Sequence, residues 1–306
     1  MPRRRFATLD VFTAAPLAGN PLAVVLDADG LDAAAQQRIA REFNLSETVF
    51  VAPPRHARHR AHLRIFTPLK ELPFAGHPTI GTAVLLAQRD REERDGHERV
   101  DALAFGLEEA IGTLSCIVEP GDGRGHARFK MPSLPRFLGD GPDAATLARM
   151  LGLSADDIGF ARHVPSWHAA GPSFTCVPIA SPQKLDAARL DGTAFGHAFD
   201  AGRVDALYLY TPDPDAPGSR FQARMFAPNM GVPEDPATGS AAAAFSGVLM
   251  QFEKLGDGEH DVTIRQGLAM GRPSEIGLQL AITDGALRSV EIAGTAVLVS
   301  EGTLLV

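Results

Sequence analysis

The sequence predicts an α+β protein of two pseudo-symmetric domains, each a curled mixed β-sheet around a central α-helix. Three observations predict it. The first is an internal repeat. Arg64-Ile65-Phe66-Thr67-Pro68, followed after three residues by Leu72-Pro73, returns as Arg224-Met225-Phe226-Ala227-Pro228, followed after three residues by Val232-Pro233, at an offset of 160. Val51-Ala52-Pro53 answers Tyr210-Thr211-Pro212 at 159, and His77-Pro78-Thr79-Ile80-Gly81-Thr82-Ala83 aligns with Asp235-Pro236-Ala237-Thr238-Gly239-Ser240-Ala241 at 158. A near-constant offset of this kind marks a duplicated unit. The second observation is the segment from Gly239 to Gln251, which is apolar nearly all round, and such a helix is enclosed on every side. The third is the number of short strand-like runs, which a single curled sheet per half accommodates.

Taken in order, Phe6–Phe12 and Leu22–Leu26 read as strands joined by a turn at Gly19-Asn20-Pro21. Asp32–Phe43 reads as a helix that Asp32 caps. Glu47–Ala52 and His62–Phe66 read as strands, and Thr79–Gln88 as a helix with Ile80, Ala83, Val84 and Ala87 on one face. Arg89–Arg99 reads as a charged surface loop. Strands follow around Val100–Phe105 and Gly112–Val118. Pro132–Pro142, with three prolines and two glycines, reads as the linker, which divides the chain into domains 1–131 and 132–306. In the second half, strands are expected at Thr175–Ile179, Ala206–Tyr210 and Phe221–Phe226, with helices near Leu185 and at Gly239–Gln251. The chain closes in strand-like runs at Ser289–Ser300 and Leu304–Val306, the last placed to cross back to the first domain.

The composition narrows the function. At 306 residues, 45% hydrophobic and 22% charged, the chain suits a two-domain globular protein. A net charge of −8 argues against nucleic acid or an anionic membrane surface as partner. No apolar run reaches the length of a membrane span, and the basic start Arg3-Arg4-Arg5 leads into an alternating strand instead of a signal-peptide core. Cys116 and Cys176 both sit in apolar, β-branched runs, as buried strand thiols do, and suit a reducing cytoplasmic compartment. No metal-ligand spacing occurs.

Each repeat delivers a small-residue turn into the start of its helix, Ala75-Gly76-His77-Pro78-Thr79 in one half and Asp235-Pro236-Ala237-Thr238-Gly239-Ser240 in the other. The first turn of a helix offers unpaired N–H donors and partial positive charge, so two such ends seat a carboxylate or an enolate. The plainer reading makes these glycines turn residues and the polar residues caps. Glu47 opens the apolar strand Thr48-Val49-Phe50-Val51. Desolvated there, its carboxyl would become a useful general base; exposed, it would be an ordinary strand-end glutamate. Its counterpart in the other half is Ala206, so one half alone supplies this group. His77 is a proton relay or a structural turn histidine. Arg272 is expected in an internal ion pair and Lys70 in solvent.

These motifs resemble the PhzF-like family of phenazine biosynthesis, within the diaminopimelate-epimerase-like fold. The resemblance runs through Asp10-Val11-Phe12-Thr13, Gly19-Asn20-Pro21, Asn44-Leu45-Ser46-Glu47-Thr48, Arg64 to Thr82, Glu234 to Ala241 and Gln266 to Ser274. It implies an active site in the cleft between the two halves, a homodimer, and acid–base isomerisation without metal or organic cofactor. The family's characterised reaction is isomerisation of trans-2,3-dihydro-3-hydroxyanthranilate. Carried over by position, Glu47 matches the catalytic carboxylate, and His77 and Asp235 match its proton-handling partners. Gly76, Gly239, Ser240 and Asn20 are expected to hold a small carboxylated substrate. Related epimerases use two cysteines at the helix-entry turns, which carry none here. The alternatives are an epimerase or racemase with other bases, and a non-catalytic binding protein of the same fold.

Overall fold

The protein is described by a computed structural model over residues 2–93, 101–214 and 219–306, with Ser219 and Arg220 described by backbone only. The first half contains β1 (Arg3–Val11), β2 (Asn20–Val25), α1 (Ala33–Phe43), β3 (Glu47–Ala52), β4 (Ala61–Phe66), β5 (Glu71–Leu72), α2 (Gly76–Glu93), β6 (Leu103–Glu109), β7 (Gly112–Pro120) and β8 (Arg124–Lys130). The second contains β9 (Arg136–Asp140), α3 (Ala144–Leu151), β10 (Ser166–Ala169), β11 (Ser173–Pro178), α4 (Pro182–Ala187), α5 (Gly192–Asp200), β12 (Ala206–Pro212), β13 (Ser219–Ala227), β14 (Val232–Asp235), α6 (Gly239–Phe252), β15 (Gly258–Gln266), β16 (Ser274–Thr283) and β17 (Ala286–Leu305).

The first sheet closes on itself. β2 and β3 are parallel, β3 and β4 antiparallel, β4 and β6 parallel, and β6, β7 and β8 run on as antiparallel neighbours. β8 then pairs with β17, and β17 with β1, which returns to β2. Inside this ring lies α2, buried at every position from Gly76 to Gln88. The second sheet repeats the plan: β11 and β12 parallel, β12 and β13 antiparallel, β13 and β15 parallel, then β16 and β17. Its axis is α6, which buries Gly239 to Ser246 without a break. Ala241 to Ala244 keep this helix thin enough to fit, with Tyr208, Tyr210 and Phe221 packed edge-on against Phe245. Smaller cores lie outside the sheets, under α1 in one half and under α3 to α5 in the other.

Two connections join the halves. β17 pairs with β16 of its own half at Ala286–Ala293, then continues to pair with β1 as far as Arg3↔Leu305. The segment expected as a linker is the second connection, and it contains β9, which follows β8 along the chain and pairs with β10 of its own half. A linker reading missed this strand because proline and glycine flank it and its backbone partner lies far along the chain. Two further expectations change. The helix predicted at Thr79–Gln88 begins at Gly76 and ends at Glu93, so Arg89 to Glu93 of the predicted charged loop are helical, and residues 94–99 lie outside the described residues. The terminal runs form one strand, not two.

The repeat also needs a corrected register. Leu72 pairs with Ile65 and Asp235 pairs with Met225, so Asp235 is the counterpart of Leu72, at an offset of 163. His77 therefore answers Ser240, not Asp235. The same register matches Arg64–Glu71 with Arg224–Glu234, two ion pairs at equivalent places. The second turn is three residues longer, and the sequence alignment, anchored on the chance match of Pro78 with Pro236, stands five residues out of this register.

Candidate active site

The helices α2 and α6 begin where the halves meet. A Cβ on Gly76 would lie 2.8 Å from Cα of Gly239, and one on Gly239 would lie 3.0 Å from Cα of Gly76. Only glycine permits this approach, which brings two sets of unpaired helix N–H groups to one cleft. Glu47, Gly76, His77, Asp235, Thr238, Gly239 and Ser240 line that cleft. Its remaining wall is mostly apolar, with Leu72, Phe74, Phe174, Met225 and Val232. Among the described residues no lysine or arginine lines it, and the two helix starts bring positive potential there.

β3 begins at Glu47 and carries its carboxyl to the cleft floor, where the side chain is 13% exposed. Burial, and then the neighbouring Asp235, hold its pKa well above the usual carboxylate range. Oε2 of Glu47 faces Nε2 of His77 at 3.5 Å. Both atoms are buried and lack a hydrogen-bond partner among the described residues, as atoms do that await a ligand. Nδ1 of His77 lies 3.2 Å from Nδ2 of Asn20, which can only donate. The ring therefore carries its proton on Nε2, toward Glu47. Burial lowers the His77 pKa to about 3, so the ring is neutral at physiological pH.

Asp235 ends β14 and is fixed from several sides. Thr238 Oγ1 donates to Oδ2 at 2.6 Å and Asn20 Nδ2 to Oδ1 at 2.8 Å. Gln266 Nε2 holds its carbonyl at 2.8 Å. Burial raises its pKa to about 6, while hydrogen bonds from Thr238, Asn20 and Ser46 oppose the rise.

The structure thus brings Glu47, His77, Gly76, Asp235, Gly239 and Ser240 together from both halves. Asn20 stands apart from the other expected substrate-binding residues. It is fully buried behind the cleft, and its amide holds Asp235 and the carbonyl of Ala237. The turn before it depends on Gly19 (φ +63°), where a Cβ would meet the Val11 carbonyl at 2.4 Å. Arg272 pairs with Asp10 and donates to the carbonyls of Ala18 and Gly19, tying this turn to the second half. Lys70 is exposed and lines no part of the cleft. Cys116 and Cys176 are free, buried and elsewhere. Thr238 and Gln266 were not singled out from sequence. Both lay inside quoted motifs, but nothing local tells that Gln266 reaches Thr238, twenty-eight residues earlier.

Two curled sheets, each around one helix, with carboxyls and helix starts at their junction, define the diaminopimelate-epimerase-like class, and solved structures of this class superpose over 99–100% of the chain. The chain belongs to the PhzC-PhzF family, phenazine biosynthesis-like proteins, whose pattern matches residues 9–302. It is 44% identical over 309 residues to an uncharacterized isomerase of Mesorhizobium japonicum, covering 100% of both chains. It is 36% identical to the trans-2,3-dihydro-3-hydroxyanthranilate isomerase of Pseudomonas fluorescens, covering 98% of this chain and 99% of that one. The crystal structure of a Bacillus anthracis phenazine biosynthesis protein of the PhzF family superposes with a TM-score of 0.85 at 25% identity, covering 100% of both chains. The protein is an isomerase.

Proposed function

We propose that the protein moves a proton within a small carboxylated substrate, in a reaction like that of trans-2,3-dihydro-3-hydroxyanthranilate isomerase, with Glu47 as the single base. The carrying observation is the asymmetry at β3 and β12: Glu47 lies in the cleft, while the equivalent position is Ala206. A base on one face suffices to remove a proton and return it at another carbon of a conjugated system. In the ionised form, Glu47 takes the proton. Its raised pKa makes the resulting acid a competent donor for the return step. The substrate carboxylate sits against the starts of α2 and α6, with Ser240 beside it. Neutral His77, its Nε2–H directed into the cleft, donates to charge that develops on the substrate. Asp235, held by Asn20 and Thr238, fixes the substrate's polar groups.

Substrate labelled with deuterium at the migrating position tests this reading. Part of the label carried into the product supports one-base transfer. Inversion at a stereocentre with solvent deuterium delivered to the opposite face would instead favour the second reading, an epimerase in which Asp235, the other carboxyl in the cleft, serves as the second base.

A further inference from the structure

The last residue of β6, Glu109, is a buried carboxyl that the chemistry above leaves unused. Thr79, the fourth residue of α2, lies between it and the helix-entry turn. Thr79 Oγ1 is 2.6 Å from Oε1 of Glu109 and 2.9 Å from the carbonyl oxygen of Ala75. A hydroxyl has one hydrogen, so Thr79 satisfies both oxygens only if Glu109 supplies the second. Oε2 of Glu109 is also buried and without a partner among the described residues. A charged carboxylate in that position would be strongly penalised. From the elements packed against it, Thr79 on α2 and the thiol of Cys116 on β7 are the groups that interact with it, and neither brings positive charge.

The second half holds its turn with a permanently neutral side chain at the equivalent strand position, though through a different threonine. Ala61 pairs with Leu107 as its counterpart Phe221 pairs with Ile264, so Glu109 corresponds to Gln266. Gln266 accepts from the Thr238 N–H at 3.2 Å and donates to Thr238 Oγ1 at 3.0 Å and the Asp235 carbonyl at 2.8 Å. It pins the turn that delivers Asp235, Gly239 and Ser240.

We infer that Glu109 is a positioning residue which, held as the neutral acid, anchors through Thr79 the turn that delivers Gly76 and His77 to the cleft, as Gln266 anchors the opposite turn. Ionisation of Glu109 turns the Thr79 hydrogen away from Ala75 and places negative charge beneath the start of α2, where the substrate carboxylate is to bind. The device thus sets an alkaline limit on the site. Burial raises the Glu109 pKa to about 8, which places that limit in an accessible range.

The test is made on the full chain with isotope-labelled histidine, following the His77 ring resonance from about pH 6 to about pH 10. His77→Gln assigns the signal. Wild type should show a transition near pH 8 that disappears in Glu109→Gln and in Thr79→Val but persists in Glu47→Gln. Infrared difference spectra at neutral pH should show a protonated-carboxyl band that Glu109→Gln removes. Glu109→Gln reproduces the donor of the neutral acid, so it should remain folded. The inference is overturned if the transition survives unchanged in Glu109→Gln, or if that band is present equally in both proteins. Neither readout requires turnover, so failure here is separate from failure of Glu47 as the base.

Discussion

Gly76 and Gly239 touch backbone to backbone across the junction of the two halves, and no side chain fits at either position. The contact sets the distance between the two helix starts, and so the width of the cleft. Gly76→Ala or Gly239→Ala should destabilise the protein by about 1–3 kcal/mol, the usual cost of overpacking, measured by urea unfolding. Either change should also weaken binding of a small carboxylate, measured by calorimetry. A Gly239→Ala protein with unchanged stability would show that the halves adjust freely about this contact.

Glu47→Gln keeps the shape of the side chain and removes the base. Turnover should fall by at least about a hundredfold, the lower bound for general-base catalysis, with ligand binding retained. In wild type, kcat/KM should rise with pH through a limb well above the usual glutamate value, because burial and Asp235 oppose ionisation of Glu47. A rate that is flat down to pH 5 would remove Glu47 from the role.

The neutral state of His77 has a thermodynamic signature. Its folded pKa, about 3, lies below the ordinary imidazole value of 6.5. Between these values the unfolded chain binds more protons, so His77 makes stability fall as pH drops from about 6.5 toward 3. The buried carboxyls act in the opposite direction, because a raised folded pKa adds stability on acidification. Comparing wild type with His77→Gln isolates the histidine. The difference in unfolding free energy should shift in favour of the variant by a few kcal/mol, roughly, on going from pH 7 to pH 4. A pH-independent difference would place the histidine in a solvated setting.

Arg272 and Asp10 join the halves at the turn that presents Asn20. Asp10 is buried and the Arg272 side chain is 26% exposed. Arg272→Met should cost on the order of 2–3 kcal/mol, below the roughly 3–5 kcal/mol of a fully buried pair. Asp10→Asn in the same chain should recover part of that loss, read as a double-mutant cycle.

The duplicated ion pairs should be unequal. Glu71→Gln breaks a pair whose side chains are 27% and 40% exposed, at a cost of about 0–1 kcal/mol. Glu234→Gln breaks its equivalent at 7% and 19% exposure, and Arg224 then keeps only the carbonyls of Leu185 and Ala188 as close acceptors. The second loss should exceed the first clearly in thermal unfolding. Equal losses would mean that burial does not set their strength.

Much of the molecule was legible before any coordinates. The apolar helix at Gly239 could only be enclosed, and the alternating runs could only be walls, because the period of apolar residues fixes which faces must be buried. Motif offsets revealed the duplication, and Gly239 marked where the second helix begins, whereas the first begins at Gly76, three residues before its expected start. Glu47 could be named, but its burial could not, since exposure depends on the half it packs against. The register of Asp235 was misjudged because a repeat read by eye follows matching prolines, while strand pairing follows backbone hydrogen bonds.

What the sequence determined by itself is part of the local grammar: the two central helices and several of the strands around them, which turns require glycine, and that one unit occurs twice. Tertiary structure alone decided which groups meet. β17 crosses from the second half to pair with β1, Gln266 reaches Asp235, and Arg272 reaches Asp10, through contacts that span up to 302 positions of chain, from Arg3 to Leu305. Side-chain periodicity encodes which face is buried but not which distant partner is buried with it. The protonation states of Glu47, His77 and Asp235 therefore follow only once the two sheets have closed around the same cleft and excluded water from it.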